Sequence, residues 1–206
     1  MDALAQALDG LARALQARAG GRVQMKPFVA ARGGSLKGEF EVRSADGRVR
    51  RIQQAELPLP PPLLRAFAHL APVENLAIDL GSHRLTLWAP QELIELQVGL
   101  RWHGFNGKRM QEWDERHVVF ADDGGDPVAL RTDEQDGPVY LSHRGEGRHT
   151  FFQAAPDLAS FYAATALWVE LREVGLLRQA LEERFGAAAS ALWLWKQLVS
   201  GTDARR

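Results

Sequence analysis

The run Leu57-Pro-Leu-Pro-Pro-Pro62 constrains the fold more than any other stretch of this chain. Consecutive prolines hold an extended backbone and lack amide donors, so neither a helix nor an internal strand passes through such a run. Its last proline suits the first turn of a helix, in which Leu63, Phe67 and Leu70 would share the buried face. We therefore predict a linker here, with separate structural units before and after it.

The segment before this run predicts one helix followed by short strands. Four leucines recur at spacings of four, three and four residues, which places them on one stripe of a helix that would end at Gly20-Gly21. Three apolar stretches then indicate strands, with the turn-forming pairs Gly33-Gly34 and Asp46-Gly47 between them. We predict an N-terminal extension of one helix and strands over residues 1–56. The leucines are Leu4, Leu8, Leu11 and Leu15, and the apolar stretches cover residues 23–29, 36–43 and 49–52.

After the prolines, the alternation of apolar and polar residues predicts a hairpin over residues 76–80 and 85–88, and the spacing of the later strand candidates predicts an antiparallel meander. Pro90 interrupts them and would begin a short helix, and from Pro156 onward the apolar spacing becomes helical. The predicted class is α+β: a mainly antiparallel sheet with helices packed against it over residues 57–175, and a C-terminal helical extension over residues 176–206. The predicted strands cover residues 76–80, 85–88, 117–121, 128–131, 139–143 and 150–152.

Composition excludes several classes of site. The chain contains no cysteine, so it has no disulfide, thiolate nucleophile or cysteine-ligated metal. No stretch reaches the roughly 20 apolar residues that cross a bilayer, and the start Met1-Asp-Ala-Leu4 lacks the pattern of a signal peptide. We therefore expect a cytoplasmic protein without a membrane partner.

The net charge of -1 is unevenly distributed along the chain. Residues 1–55 carry ten basic and five acidic side chains, a balance of +5. Residues 111–147 carry ten acidic and three basic side chains, a balance of -7. The two regions could meet different partners. They could equally keep separate surfaces solvated or face each other inside the fold, and the sequence leaves these alternatives open.

The stretch Asp122-Asp-Gly-Gly-Asp126 is the first candidate for chemistry. A calcium loop needs six to eight oxygen ligands spread along a longer segment, and a pair of catalytic carboxylates needs a cleft between them. Glycines reach positive φ and aspartates accept hydrogen bonds from turn amides. We therefore predict a tight turn between two strands at this stretch.

The remaining motifs support neither a metal site nor catalysis. The six histidines show no His-Glu-x-x-His spacing, although His143 and His149 would face each other across a hairpin turn. Ser142 and Ser160 lie outside any Gly-x-Ser-x-Gly motif, and residues 104–108 are too short for a phosphate loop. We expect a non-enzymatic protein without a cofactor or metal.

A basic cluster near the Asp46-Gly47 turn is the only argument for nucleic acid. Arginines on both sides of this turn would present a positively charged hairpin to phosphates. The isoelectric point of the whole chain, about 6.6, argues against this role, so we do not expect a nucleic-acid partner. The arginines are Arg43, Arg48, Arg50 and Arg51.

Several short motifs, taken in order, resemble the SUKH superfamily, the Smi/Knr-like family that includes bacterial immunity proteins and a yeast cell-wall regulator. Residues 71–75 depart from the family, which commonly has an asparagine-glycine segment there, and the resemblance does not extend beyond residues 57–175. The motifs are Leu59-Pro60 with Leu63-Leu-Arg-Ala-Phe67, Leu85-Thr-Leu-Trp88 with Glu92-Leu93, residues 119–130, Gly137-Pro-Val-Tyr140 with His143, and Ser160-Phe-Tyr162.

The resemblance implies a compact sheet with packed helices and a protein-binding role without catalysis. In bacteria, that role is often to neutralise a cognate toxin, and many of these toxins are nucleases delivered by contact-dependent or type VI systems. An alternative implied by the same family is an intracellular scaffold or regulatory adaptor. The composition, rich in alanine and arginine and poor in lysine, is typical of a bacterial genome of high GC content.

From the acidic segment we expect one negatively charged face that meets the positive groove of a toxin and excludes its substrate. Carboxylates attract such a groove before contact and would occupy the place of the phosphates. The predicted partner-binding residues are Asp122, Asp123, Asp126, Asp133, Glu134 and Asp136.

Overall fold

A computed structural model describes residues 2–19, 23–28, 34–80, 83–145, 148–171 and 174–186. The helices are α1 (Ala3–Ala19), α2 (Pro61–His69), α3 (Leu93–Leu96, after a 3-10 turn at Pro90–Glu92), α4 (Leu158–Leu171) and α5 (Val174–Phe185). The strands are β1 (Met25–Lys26), β2 (Ser35–Arg43), β3 (Val49–Pro58), β4 (Ala71–Pro72), β5 (Leu76–Leu80), β6 (His83–Leu87), β7 (His117–Asp123), β8 (Asp126–Arg131), β9 (Val139–Gly145) and β10 (Arg148–Ala155).

The central element is a six-stranded sheet in the order β10-β9-β8-β7-β6-β5. Each strand pairs antiparallel with its neighbour in the chain, so the sheet is the predicted meander. Two further pairs, β1 with β4 and β2 with β3, form small antiparallel sheets of their own. The α+β class is therefore confirmed.

Helices cover one face of the large sheet. Phe120 of β7 meets the ring of Phe161 on α4 edge-on, with 5.7 Å between the ring centroids. Both side chains are buried, and burial of such large apolar groups contributes about 1.5–3 kcal/mol each. Helix α4 begins where the Oδ1 atom of Asp157 accepts a hydrogen bond from the amide of Ser160 (2.7 Å), the usual cap of a helix start.

Helix α1 contributes its leucine stripe to the same core. Leu8 and Leu11 are buried among the residues that line the large sheet, and the helix packs against α4 and α2. The predicted helix is confirmed, because its four leucines are all buried. Of the predicted C-terminal helical extension, residues 187–206 lie outside the described residues. None of the described helices is long and apolar enough to span a membrane.

The proline run forms less of a linker than its sequence predicts. Strand β3 continues to Pro58, and the buried Leu57 pairs with Leu36 of β2. Helix α2 then begins at Pro61, which leaves two residues between the elements. The missing amide of Pro58 is tolerated because the residue ends its strand, where no further ladder is formed.

Candidate partner-binding surface

The Asp122–Asp126 stretch forms a two-residue hairpin turn between β7 and β8. Asp123 and Asp126 are the last paired residues, and Gly124 (φ 63°) and Gly125 (φ 105°) form the turn. Positive φ at both turn positions matches the right-handed twist of the two strands. The Oδ1 atom of Asp122 accepts a hydrogen bond from the amide of Gly125 (2.9 Å), which holds the turn closed. The predicted turn is confirmed.

The neighbouring hairpin brings a further carboxylate to this end of the sheet. Asp79 of β5 is exposed opposite Arg84 of β6, and the Arg84 carbonyl accepts a hydrogen bond from the amide of Gly124 (3.0 Å). Strands β9 and β10 also turn at this end, with Arg144 close to their turn. We call the carboxylates of Asp79, Asp122, Asp123 and Asp126 the acidic end.

Burial is uneven within the acidic end. Asp123 is buried, whereas Asp122 and Asp126 are partly exposed. Burial raises the pKa of the Asp122 carboxyl, the hydrogen bond from Gly125 opposes this, and the negative charge of Asp126 adds to the increase. A cation that approached Asp122 would lower this pKa again, because a nearby opposite charge favours the charged form.

The other predicted carboxylates lie beyond the opposite end of β8, in an ion-pair network. The guanidinium of Arg131 donates to both carboxylate oxygens of Asp133 (2.9 and 2.6 Å) and lies 3.3 Å from Glu134. Arg116 donates to Asp114 and lies 3.5 Å from Asp133. The hydrogen bond from Arg131 lowers the pKa of the Asp133 carboxyl. We call these five residues the ion-pair loop.

The six predicted residues therefore do not form one face. Asp126 and Arg131 begin and end β8, and five residue steps along a strand span roughly 17 Å. Three of the predicted carboxylates lie at one end of this strand and three beyond the other end. Asp136, in the second group, pairs with Arg65 of α2. The role of all six in partner binding stays a prediction.

Aromatic side chains cover part of the sheet face that is turned away from α4. His117 of β7 stacks on Phe151 of β10, with parallel rings and 3.8 Å between centroids. Strands β8 and β9 lie between these two strands. His117 pairs with Arg131 of β8 and Phe151 with Ser142 of β9, so the two rings meet diagonally across the sheet. Trp113 packs edge-on against Phe151 at 5.3 Å.

The aromatic cluster is joined to the ion-pair loop. Tyr140 meets His117 edge-on at 5.3 Å, and its hydroxyl donates to the carboxylate of Glu134 (3.2 Å). The indole N–H of Trp113 donates to the backbone carbonyl of His117 (3.1 Å). The cluster is thus fixed in place by both packing and hydrogen bonds.

His117 is a packing residue in its neutral form. Burial lowers the pKa of its imidazole to about 4, although the carboxylate of Asp114, 3.6 Å from Nδ1, opposes the change. The positive charges of Arg131 and Arg116 also lower the pKa of the imidazole, by smaller amounts than burial does. The hydrogen bonds and charge of Arg116 in turn lower the pKa of Asp114 to about 2. The imidazole is therefore uncharged at neutral pH beside an ionised carboxylate.

The sequence reasoning missed this cluster, although a signal for it is present. His117, Tyr140 and Phe151 lie at positions that alternate with the core-facing residues of their strands. The predicted contact between His143 and His149 is wrong by one residue, because His143 pairs with Thr150 and His149 with Arg144. The strands extend to Gly145 and Arg148, closer to the turn than predicted, and this sets the register.

Within the part of the chain that the structure describes, no group of three His, Asp or Glu side chains is arranged to hold a metal ion. His149 instead lies with Nδ1 2.9 Å from the hydroxyl of Ser142. Its ring also packs against Trp113 at 5.1 Å between centroids. These contacts make His149 part of the aromatic cluster.

Comparison with known proteins returns no significant match to any family model, curated protein or solved structure. The resemblance to the SUKH superfamily thus depends on the motifs in the sequence alone.

Proposed function

We propose that this chain is a non-enzymatic, protein-binding immunity protein that acts in the bacterial cytoplasm. It binds a cognate toxin, for which a nuclease is the favoured class, and blocks access to the toxin's active groove. The proposal is supported most by the acidic end, where Asp79, Asp122, Asp123 and Asp126 come together from two adjacent hairpins. The motifs that resemble the SUKH superfamily support the same role.

Electrostatics explains how such a surface would select its partner. A nuclease groove is positively charged because it binds phosphates, and carboxylates on an inhibitor are attracted to it over several ångströms. This attraction raises the rate of association and disfavours partners of the wrong charge. The ion-pair loop contributes less to this attraction, because Arg131 and Arg116 lie beside its carboxylates.

The geometry of the turn favours tight binding once contact is made. The hydrogen bond from the amide of Gly125 to Asp122 holds one carboxylate in place before the partner arrives. Two adjacent strands of the large sheet fix the direction in which the turn points. A surface that is already ordered loses less conformational entropy on binding.

The first experiment is purification of the full chain from its native host and identification of the protein that accompanies it. We expect a toxin with a basic catalytic groove in a stoichiometric complex, and the purified chain should inhibit that toxin. Recovery of the chain without any toxin, or a complex in which the toxin stays active, would contradict the proposal.

A pair of variants then tests the acidic end directly. Asp122→Asn with Asp126→Asn removes two negative charges, and the amide oxygen that replaces the Asp122 carboxylate still accepts from Gly125. We expect inhibition to weaken at least tenfold. The matched control removes two charges from the exposed side of α5, by Glu182→Gln with Glu183→Gln, and should inhibit as the wild type does. Equal inhibition by both variants would rule out the acidic end as the binding surface.

A further inference from the structure

The ribbon formed by β2 and β3 has one open edge. The opposite edge, along β2, contacts the loop that contains Gly104, since the amide of Arg43 donates to the carbonyl of Gly104 (2.8 Å). Ile94 of α3 packs on one face of the ribbon, against Gly38. Strand β3, in contrast, pairs only with β2 among the described strands. The backbone N–H and C=O groups of alternate residues along 49–56, those directed away from β2, therefore have no strand partner in the described part of the chain.

Large apolar side chains are exposed beside this edge. Val49 is 46% exposed and Ile52 is 52% exposed, both on β3. Phe105 is 66% exposed as well, in the loop that bonds through Gly104 to Arg43 on the opposite edge of the ribbon. Of the exposed large apolar side chains in the described part of the chain, these make up all but Leu176. An open strand edge with apolar neighbours is a template for pairing with another strand.

The charge of the ribbon tip indicates which kind of partner strand the edge would bind. Residues 41–52 carry four arginines and two acidic side chains, so the ribbon tip has a net positive charge. Like charges repel a basic strand and attract an acidic one. The edges of the large sheet differ, since β5 carries the exposed acid Asp79 and belongs to the acidic end.

We propose that the edge of β3 binds an extended, acidic segment of another protein as a third strand of the ribbon. Backbone hydrogen bonds along residues 49–56 supply the pairing, and apolar residues at alternate positions of the bound segment cover Val49 and Ile52. Glutamates between them meet the arginines of the tip. This surface belongs to a different sheet from the acidic end, so the inference does not depend on the proposed function.

A nucleic acid fits this surface less well. A phosphate backbone makes no use of a strand edge or of exposed aliphatic side chains such as those of Val49 and Ile52.

The test uses the full chain and three fluorescent peptides of eight residues: alternating Glu and Val, alternating Lys and Val, and the acidic peptide with a central proline. We expect the acidic peptide to bind, measured by fluorescence anisotropy, and to slow amide hydrogen exchange of residues 49–56 at least tenfold. The lysine peptide should not bind, because the tip repels it. The proline peptide should bind at least tenfold more weakly, because proline lacks the amide donor.

Two variants at exposed strand positions locate the effect. Ile52→Asp places a negative charge at the centre of the β3 edge and should weaken binding of the acidic peptide at least tenfold. Thr150→Asp makes the same change on β10, the edge strand of the large sheet, and should leave binding within twofold of the wild type. Both sites are exposed, so both variants should unfold at wild-type urea concentrations.

Several results would overturn the inference. If the acidic peptide bound without slowing amide exchange in β3, its binding site would lie elsewhere on the protein. Equal binding of the acidic and proline peptides would show charge attraction without strand pairing. Failure of the acidic peptide to bind at millimolar concentration would also exclude the site. Slower exchange in β3 that grows with protein concentration alone would assign the edge to a second copy of this chain.

Discussion

At one end of strand β8 the carboxylates of Asp122 and Asp126 flank a two-residue turn, whereas beyond the other end Asp133 and Glu134 share the guanidinium of Arg131. Both groups come from the same acidic segment of the chain. At the first end, burial, the amide of Gly125 and the charge of Asp126 act on the pKa of the Asp122 carboxyl. At the second, the hydrogen bond from Arg131 lowers the pKa of the Asp133 carboxyl.

The difference teaches that charge counted along a sequence is not the charge that a surface presents. A carboxylate with a guanidinium beside it attracts a distant cation weakly, because the two fields largely cancel. A backbone amide, such as that of Gly125 donating to Asp122, carries no net charge and therefore cancels less of a carboxylate's field. The proposed role of the acidic end in partner binding depends on this difference.

The largest expected effect concerns Trp113, which packs in the aromatic cluster beside the ion-pair loop. Trp113→Ala should lower the free energy of unfolding by about 3–5 kcal/mol, because the side chain is buried and its removal leaves a cavity. Urea unfolding measures this loss. The control is Phe105→Ala at an exposed ring, which should change the stability by less than about 0.5 kcal/mol. Similar losses in both variants would show that the cluster is not a structural anchor.

The second effect is a dependence of stability on pH that comes from His117 in the same aromatic cluster. The folded pKa of about 4 lies below the ordinary value of 6.5, so between these values the unfolded chain binds more protons than the folded one. The stability contributed by neutral His117 is complete above pH 6.5 and falls by as much as about 3 kcal/mol as pH drops through 4.

The variant His117→Phe separates this contribution from other titrations. A phenyl ring preserves the stack on Phe151 and binds no proton. Urea unfolding at pH 7 and pH 4.5 should show a smaller loss of stability on acidification for the variant than for the wild type. An unchanged loss would mean that His117 is not the group responsible.

The third effect lies at the acidic end and concerns its turn. Gly125→Ala should destabilise the protein by about 1–3 kcal/mol, because φ of 105° is strained for any residue with a Cβ atom. A steric clash is not the reason, since no neighbouring atom lies within 4 Å of the added Cβ atom. The control Gly10→Ala, within α1, should be neutral or stabilising by up to about 1 kcal/mol. A turn that tolerates alanine would remove the basis for a preorganised acidic end.

The smallest effect returns to the ion-pair loop. Arg131→Gln removes the main donor to Asp133, so the pKa of the Asp133 carboxyl should rise toward its ordinary value. NMR titration of this side chain measures the change. The accompanying loss of stability should be smaller than that of Gly125→Ala and should shrink further in 1 M salt, because exposed ion pairs are screened. A titration identical to that of the wild type would contradict the assigned network.

Sequence patterns were sufficient for the elements whose periodicity is local. The leucine stripe of α1, the glycine turn after Asp123 and the alternation in β5 each follow from neighbouring residues. These patterns report which face of an element is buried. They therefore predict the α+β class and the order of strands in the meander.

Features that depend on distant residues could not be predicted in this way. The stack of His117 on Phe151 needs the sheet to bring β7 and β10 within reach across two strands. The pairing of Asp136 with Arg65 joins residues 71 positions apart. Strand β3 continues to Pro58 because Leu57 is buried against the core. The preference of proline for linkers does not take account of the free energy gained by burying its neighbour.

The central claim is that the acidic end, and not the ion-pair loop, attracts the partner. The most direct measurement uses the toxin that the proposed function expects and compares its association rates with two double variants, each of which removes two negative charges. Asp122→Asn with Asp126→Asn should slow association at least tenfold at low salt, whereas Asp133→Asn with Glu134→Gln should slow it less than threefold. Equal rates for the two variants, or a slower rate for the second, would contradict the account.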